Sequence, residues 1–159
     1  MTVSRTGVAL LALGLALTGG ALVLGSANST GEPGPGSIDD PHQYAEVLTD
    51  AVAAVRAGHD LPVLARSACA ADAAVTRADG LIGADLVHAP LDDVLSDCGA
   101  ALAAENLSRT AAAPDDVVQA WLASPGHRDN LLDPELTGAG VGCVRDGDEL
   151  LCALVLTGD

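Results

Sequence analysis

Residues 121–132 carry the chain's single tryptophan, Trp121, and one of its four histidines, His127, in the order Trp-Leu-Ala-Ser-Pro-Gly-His-Arg-Asp-Asn-Leu-Leu. Ser124 followed by Pro125 has the form of a helix N-cap and first helical position. That spacing predicts His127 in the first turn of a short helix. Backbone N–H groups there have no intrahelical partner, and the positive end of the helix disfavours a protonated imidazole. A neutral imidazole is the form that ligates a metal ion or accepts a proton. The sequence shows no G-x-S-x-G, H-E-x-x-H or C-x-x-C, so neither a serine-hydrolase elbow, a zincin helix nor a thiolate zinc centre is indicated. His42 and His59 fall at a linker edge and in a turn and receive no role. Trp121 is read as core, because a chain with no Phe has almost no other large aromatic to fill an interior.

The order W-x-x-S-P-G-H-R-x-N-[IL]-L resembles the signature of bacterial domains of the CAP superfamily (cysteine-rich secretory proteins, antigen-5, pathogenesis-related-1), and the resemblance runs from about Tyr44 to the C-terminus. Leu61-Pro62 resembles the family's G-L-P-x-L. Leu86-Val87-His88-Ala89-Pro90 is similar to its F-S-H-x-x-P, and Ala104-Glu105-Asn106-Leu107 to its G-E-N-[IL], with Ala for Gly. The resemblance implies an α+β fold, an α-β-α sandwich around a small antiparallel sheet. It also implies a cleft that gathers His88, Glu105 and His127 as ligand-binding residues, with His88 and His127 as candidate ligands for a divalent metal such as zinc. One departure bears on chemistry. The family's N-P-x-F-T-E-[IV]-G-V-G reads here as Asp133 to Gly142, so Gly138 stands where an acid is common, and Glu135 is three residues away. A second carboxylate is therefore not expected, nor robust peptidase activity, and no catalytic residue is assigned. The reading is a secreted or envelope-associated domain that binds a metal, a small ligand or an envelope component. Its alternatives are a secreted metal-dependent hydrolase using the same cleft and a structural envelope protein.

These residues need elements to position them. Tyr44, Val47, Leu48, Ala51, Val52 and Val55 fall at helical spacing, and Gly58 ends that helix. Leu61 to Leu64 is a packed connector. A second, Ala-rich helix runs from Arg66 to about Leu81 and carries Cys69. One helical turn is expected at 91–95, and residues 101–107 are read as extended. Pro114 opens a third helix with Val117, Val118, Trp121 and Leu122 on its buried side. Val141–Val144 and Leu150–Leu156 read as two strands around a Gly147-Asp148 turn. Helices first and a hairpin last is an α+β order.

The hairpin also resolves the cysteines. If Gly147 and Asp148 are the turn, Asp146 faces Glu149 and Cys143 faces Cys152. A directly opposed pair at a non-hydrogen-bonded position is within disulfide reach, which leaves Cys69 with Cys98. An even cysteine count suits an oxidising compartment. Consistent with export, residues 7–24 carry no charge across eighteen positions. Residues 1–27 are read as a signal peptide or N-terminal membrane anchor, 28–40 as a disordered Pro/Gly/Ser linker, and 41–159 as the folded domain. Membrane association is expected only if the first segment is retained. The net charge of −15, with no lysine, argues against nucleic acid or anionic lipid as partner.

Overall fold

The structure, a computed structural model, describes residues 39–159. The expected leader or anchor at 1–27 and nearly all of the 28–40 linker lie outside the described residues. Helix α1 spans Pro41–Gly58, with Asp40 accepting the Gln43 N–H at 2.9 Å as its N-cap and Pro41 opening its first turn. A two-residue strand β1 (Ala65–Arg66) precedes α2 (Ala68–Gly80) and α3 (Asp92–Cys98). Strand β2 (Leu102–Thr110) leads to α4 (Pro114–Ala123), α5 (Pro125–Leu132) and the hairpin β3 (Gly138–Asp146) and β4 (Glu149–Gly158). No helix among the described residues is long and apolar enough to cross a membrane.

The strands form one sheet in the order β1-β3-β4-β2. The β3–β4 and β2–β4 pairs are antiparallel, as expected, but β1 joins β3 in parallel, so the small sheet is mixed. β1 also corrects the start of α2. Ala65 and Arg66 pair with Gly138 and Ala139, and Ser67 caps the helix through the Ala70 N–H. Residues 101–107, read as extended, belong to a strand that continues to Thr110, and the turn read at 91–95 is a seven-residue helix.

β4 is central, and Leu150 to Gly158 are all buried. A continuous apolar run is what a strand covered on both faces requires. Its alternate side chains separate two cores. Leu150, Cys152, Leu154 and Leu156 pack with Tyr44, Leu48 and Val52 of α1, Val117, Val118 and Trp121 of α4, and Leu131 of α5. Ala153 and Val155 pack with Ala70 and Ala74 of α2 and Val94 of α3. The described domain is therefore an α-β-α sandwich, with α1, α4 and α5 on one face and α2 and α3 on the other.

On the second face the small side chains are a packing requirement. A Cβ added at Gly140 would lie 2.0 Å from Ala71 N, and one at Gly142 would lie 2.3 Å from Val75 N. The backbone of α2 rests directly on β3, with Ala70, Ala74 and Ala78 fully buried beneath it. Two disulfides complete the domain. Cys143–Cys152 closes the hairpin across directly opposed residues with Cα atoms 4.1 Å apart, and Cys69–Cys98 ties α2 to α3. This is the pairing that the hairpin register predicts.

One buried charge locks the other face. Arg56, 1 % exposed, donates to the carbonyls of Pro62, Leu131, Asp133 and Leu136. It thereby holds the C-terminal end of α5 and the segment that follows against α1.

Candidate functional site

α4 and α5 meet at Ser124, whose extended backbone (φ −96°, ψ 119°) ends one helix and starts the other. Pro125 occupies the first position of α5 and His127 its first turn, as the sequence predicts. The Ser124 side chain, expected as an N-cap, makes no capping hydrogen bond, so the break is set by backbone conformation and by Pro125.

Asparagines seat α5 on β2. Buried Asn106 donates Nδ2–H to the His127 carbonyl at 3.0 Å, and Asn130 donates to Asn106 Oδ1 at 2.9 Å and to the Glu105 carbonyl at 3.3 Å. Trp121 Nε1 donates to the Leu107 carbonyl at 3.0 Å from a position 3 % exposed. These bonds cover the outward carbonyls of an edge strand and fix His127 relative to Glu105. Trp121 is core, as expected.

The sequence-marked residues converge. Glu105 sits on β2 with its side chain 2 % exposed, and His88 reaches it from the loop after α2, with Nδ1 2.9 Å from Oε1. A carboxylate only accepts, so Nδ1 carries a proton, and a neutral ring would keep its lone pair on Nε2. The His88 and His127 rings lie 5.9 Å apart, centre to centre, at 60°. His127 has a pKa lowered from the ordinary histidine value, first by burial and then by the His88 charge. The sequence reading gave that role to the helix end; burial and the neighbouring imidazole act in the same direction. Together with Ala104, Ser124 and Asn130, the three residues line a cleft of about 410 Å³.

Gly138 does not belong to this cleft. It starts β3 beside β1, and a Cβ there would sit 2.7 Å from Thr157 Oγ1. A side chain at 138 would lie at the end of β3, between β1 and β4, and Glu135 does not line the cleft either. Ser124, three residues before His127, does line the cleft. Sequence reasoning also passed over Arg77, whose Nε lies 3.5 Å from Glu105 Oε2, and the Asn106–Asn130 pair. The asparagines lie inside the marked segments and could have been read as ties between them, whereas nothing local marks Arg77.

Among the described residues no group of three or more His, Cys, Asp or Glu is arranged to hold a metal ion. The cleft offers two imidazoles. Two rings sharing a tetrahedral zinc ion through bonds of about 2.0–2.1 Å have centres roughly 5 Å apart, so the rings, 5.9 Å apart, would close slightly on a shared ion. The remaining ligands would be water.

The sequence model of the cysteine-rich secretory protein (CAP) family matches residues 49–156. The uncharacterized protein YkwD of Bacillus subtilis (strain 168) is 47 % identical over 45 residues, covering 28 % of this chain and 18 % of that protein. An extracellular protein containing an SCP domain from Bacillus anthracis superposes with a TM-score of 0.63 at 27 % identity, over 75 % of this chain and 41 % of that one. A cysteine-rich secretory protein from Staphylococcus aureus gives 0.66 at 16 % identity, over 77 % and 41 %. An outer surface protein from Borrelia burgdorferi gives 0.64 at 21 % identity, over 76 % and 96 %. The last two likenesses speak to the fold alone. The chain spans less than half the length of the Bacillus and Staphylococcus proteins.

Proposed function

Since the chain belongs to the cysteine-rich secretory protein (CAP) family, we propose that it is an exported binding domain whose cleft takes a divalent metal ion, such as zinc, between His88 and His127. The observation that carries this reading is the His88 Nδ1–Glu105 Oε1 bond beside a second imidazole 5.9 Å away. The carboxylate fixes the tautomer that leaves Nε2 free as a ligand, an arrangement that recurs behind metal-bound histidines. With two protein ligands and an open mouth, binding is weak, and water or a small anionic ligand completes the coordination. The same mouth admits a small ligand without metal. The N-terminal apolar segment, both disulfides and the extracellular and outer-surface descriptions of similar structures support export to the envelope or beyond.

Binding is favoured over hydrolysis because Glu105, the sole carboxylate lining the cleft among the described residues, faces His88 with one oxygen and Arg77 with the other. Both oxygens are thus engaged by neighbouring side chains, which disfavours Glu105 as a general base towards water. The test is a Zn²⁺ titration followed on the imidazole resonances at pH 7.5 and 5.5. Micromolar-to-millimolar binding at the higher pH, weakened at the lower one because protons compete with the metal for imidazole nitrogens, is expected. His88→Ala and His127→Ala should each abolish it without unfolding the protein. Zinc binding that survives both substitutions refutes the metal reading. No Zn²⁺ binding by the unaltered protein would leave a metal-free ligand or a structural envelope role.

A further inference from the structure

Arg77 lies on α2 and lines a cavity of about 690 Å³ between α2, α3 and the loop that carries His88. Glu105 lines both this cavity and the cleft, so Arg77 approaches the carboxylate from its far side. The Arg77 side chain is 11 % exposed, with Nε 3.5 Å from Glu105 Oε2. That oxygen is buried and accepts no hydrogen bond among the described residues, so the Arg77 charge is what faces it. Nη2 of Arg77 donates to the Pro90 carbonyl, two residues beyond His88, and to Asp93 Oδ1 at 2.8 Å. The near end of the loop is held separately, by Arg109 donating to the carbonyls of Leu81 and Ala84. At its far end the side-chain ties are Arg77 to Pro90 and Glu105 to His88.

We propose that Arg77 is a positioning residue for the cleft: it engages Glu105 through Oε2 and the loop through Pro90, and so presents Oε1 to His88 Nδ1 with the ring beside His127. This inference rests on the reading of His88 and His127 as ligands and adds the residue that keeps that pair in register. The physical need is clear. A buried carboxylate is costly unless it is paired, and Glu105 has a half-exposed His88 ring on one side only. Without a partner for Oε2, the carboxyl would turn or draw in water, and the Nδ1–H bond that sets the tautomer would lose its geometry. The Arg77–Asp93 contact does not do this work, since Asp93 is 66 % exposed and an exposed pair holds little.

The experiment records imidazole ¹⁵N–¹H spectra of the metal-free protein, then Zn²⁺ titrations, for the unaltered chain, Arg77→Met, Arg77→Lys, Glu105→Gln and the double variant Arg77→Met/Glu105→Gln. The unaltered protein should show His88 as the Nδ1–H tautomer. Arg77→Met should lose that pattern and bind Zn²⁺ about 10–100-fold more weakly, with Arg77→Lys recovering most of both. In the Glu105→Gln background, Arg77→Met should change the His88 signals little further, because the group it positions is gone. Should Arg77→Met alone fail to fold, Arg77→Lys and the double variant, which leaves no buried charge unpaired, carry the comparison. An unchanged His88 tautomer in Arg77→Met, or an equal effect with and without Glu105, overturns the proposal. If the unaltered protein binds no Zn²⁺, the metal reading fails while the tautomer signature still decides the role of Arg77.

Discussion

Replacing Arg56 by methionine should be among the most damaging single changes to this domain. The guanidinium donates at 2.9 Å to Pro62 O, 3.0 Å to Leu131 O, 2.9 Å to Asp133 O and 3.2 Å to Leu136 O. The bonds to Leu131 and Leu136 are buried, while water can reach the other two carbonyls. Leaving a buried acceptor without a partner costs about 1–3 kcal/mol, so two of them cost about 2–6 kcal/mol. Part of this returns, because burial already strains the cation, pushing its pKa below the usual value with nearby Asp133 opposing, and because methionine is cheap to bury. A net loss of about 3 kcal/mol remains, or roughly 10 °C in Tm for a domain of this size. Arg56→Lys should lose about half as much, since an ammonium has three donors on a flexible stem and no planar fork. Guanidinium denaturation followed by Trp121 fluorescence and by far-UV circular dichroism gives the number, provided the two probes coincide. Because the lost bonds anchor the end of α5, the His127 ring resonances should broaden or move as well. A loss below about 1 kcal/mol would refute the argument that these carbonyls depend on Arg56.

Four further outcomes are expected. The unfolded chain takes up a proton at His127 before the folded one does, so stability should hold above about pH 6.5 and fall as pH drops below it towards the lowered folded pKa. His127→Gln should flatten that part of a stability–pH profile, and His88→Ala should raise the His127 pKa seen by NMR. Gly140→Ala should cost about 1–3 kcal/mol or more by thermal denaturation, because its Cβ meets α2 backbone at 2.0 Å, while Gly126→Ala, with nothing within 4 Å, should be near neutral. Ser124→Glu should tighten Zn²⁺ binding measured by calorimetry, and Gly138→Glu should not, since only the first position lines the cleft. Replacing Cys69 and Cys98 by serine should cost about 2–4 kcal/mol in denaturant, more than opening the hairpin bond, because the closed loop spans 29 residues rather than 9.

Much of this protein is written locally. Apolar spacing, Pro41, Pro114 and Pro125, and the Gly147 turn mark helices and hairpin because they act through the backbone of their own segment. The hairpin register then sets Cys143 opposite Cys152 and, by elimination, Cys69 with Cys98. The order of His88, Glu105 and His127 was legible through motifs that each occupy a few adjacent residues. Other features arise between segments that no local pattern connects. Two-residue β1 exists only because β3 offers an edge to pair with. The Gly140 and Gly142 requirement comes from the approach of α2, not from their own turn chemistry. The significance of Gly138 was misread because a gap in a motif says which residue is missing, while only the fold says whether that position faces the cleft. Arg77 and Arg56 carry no sequence mark at all. Their partners lie 28 and up to 80 residues away, and a long side chain finds its acceptors only once the sheet and helices have brought them together.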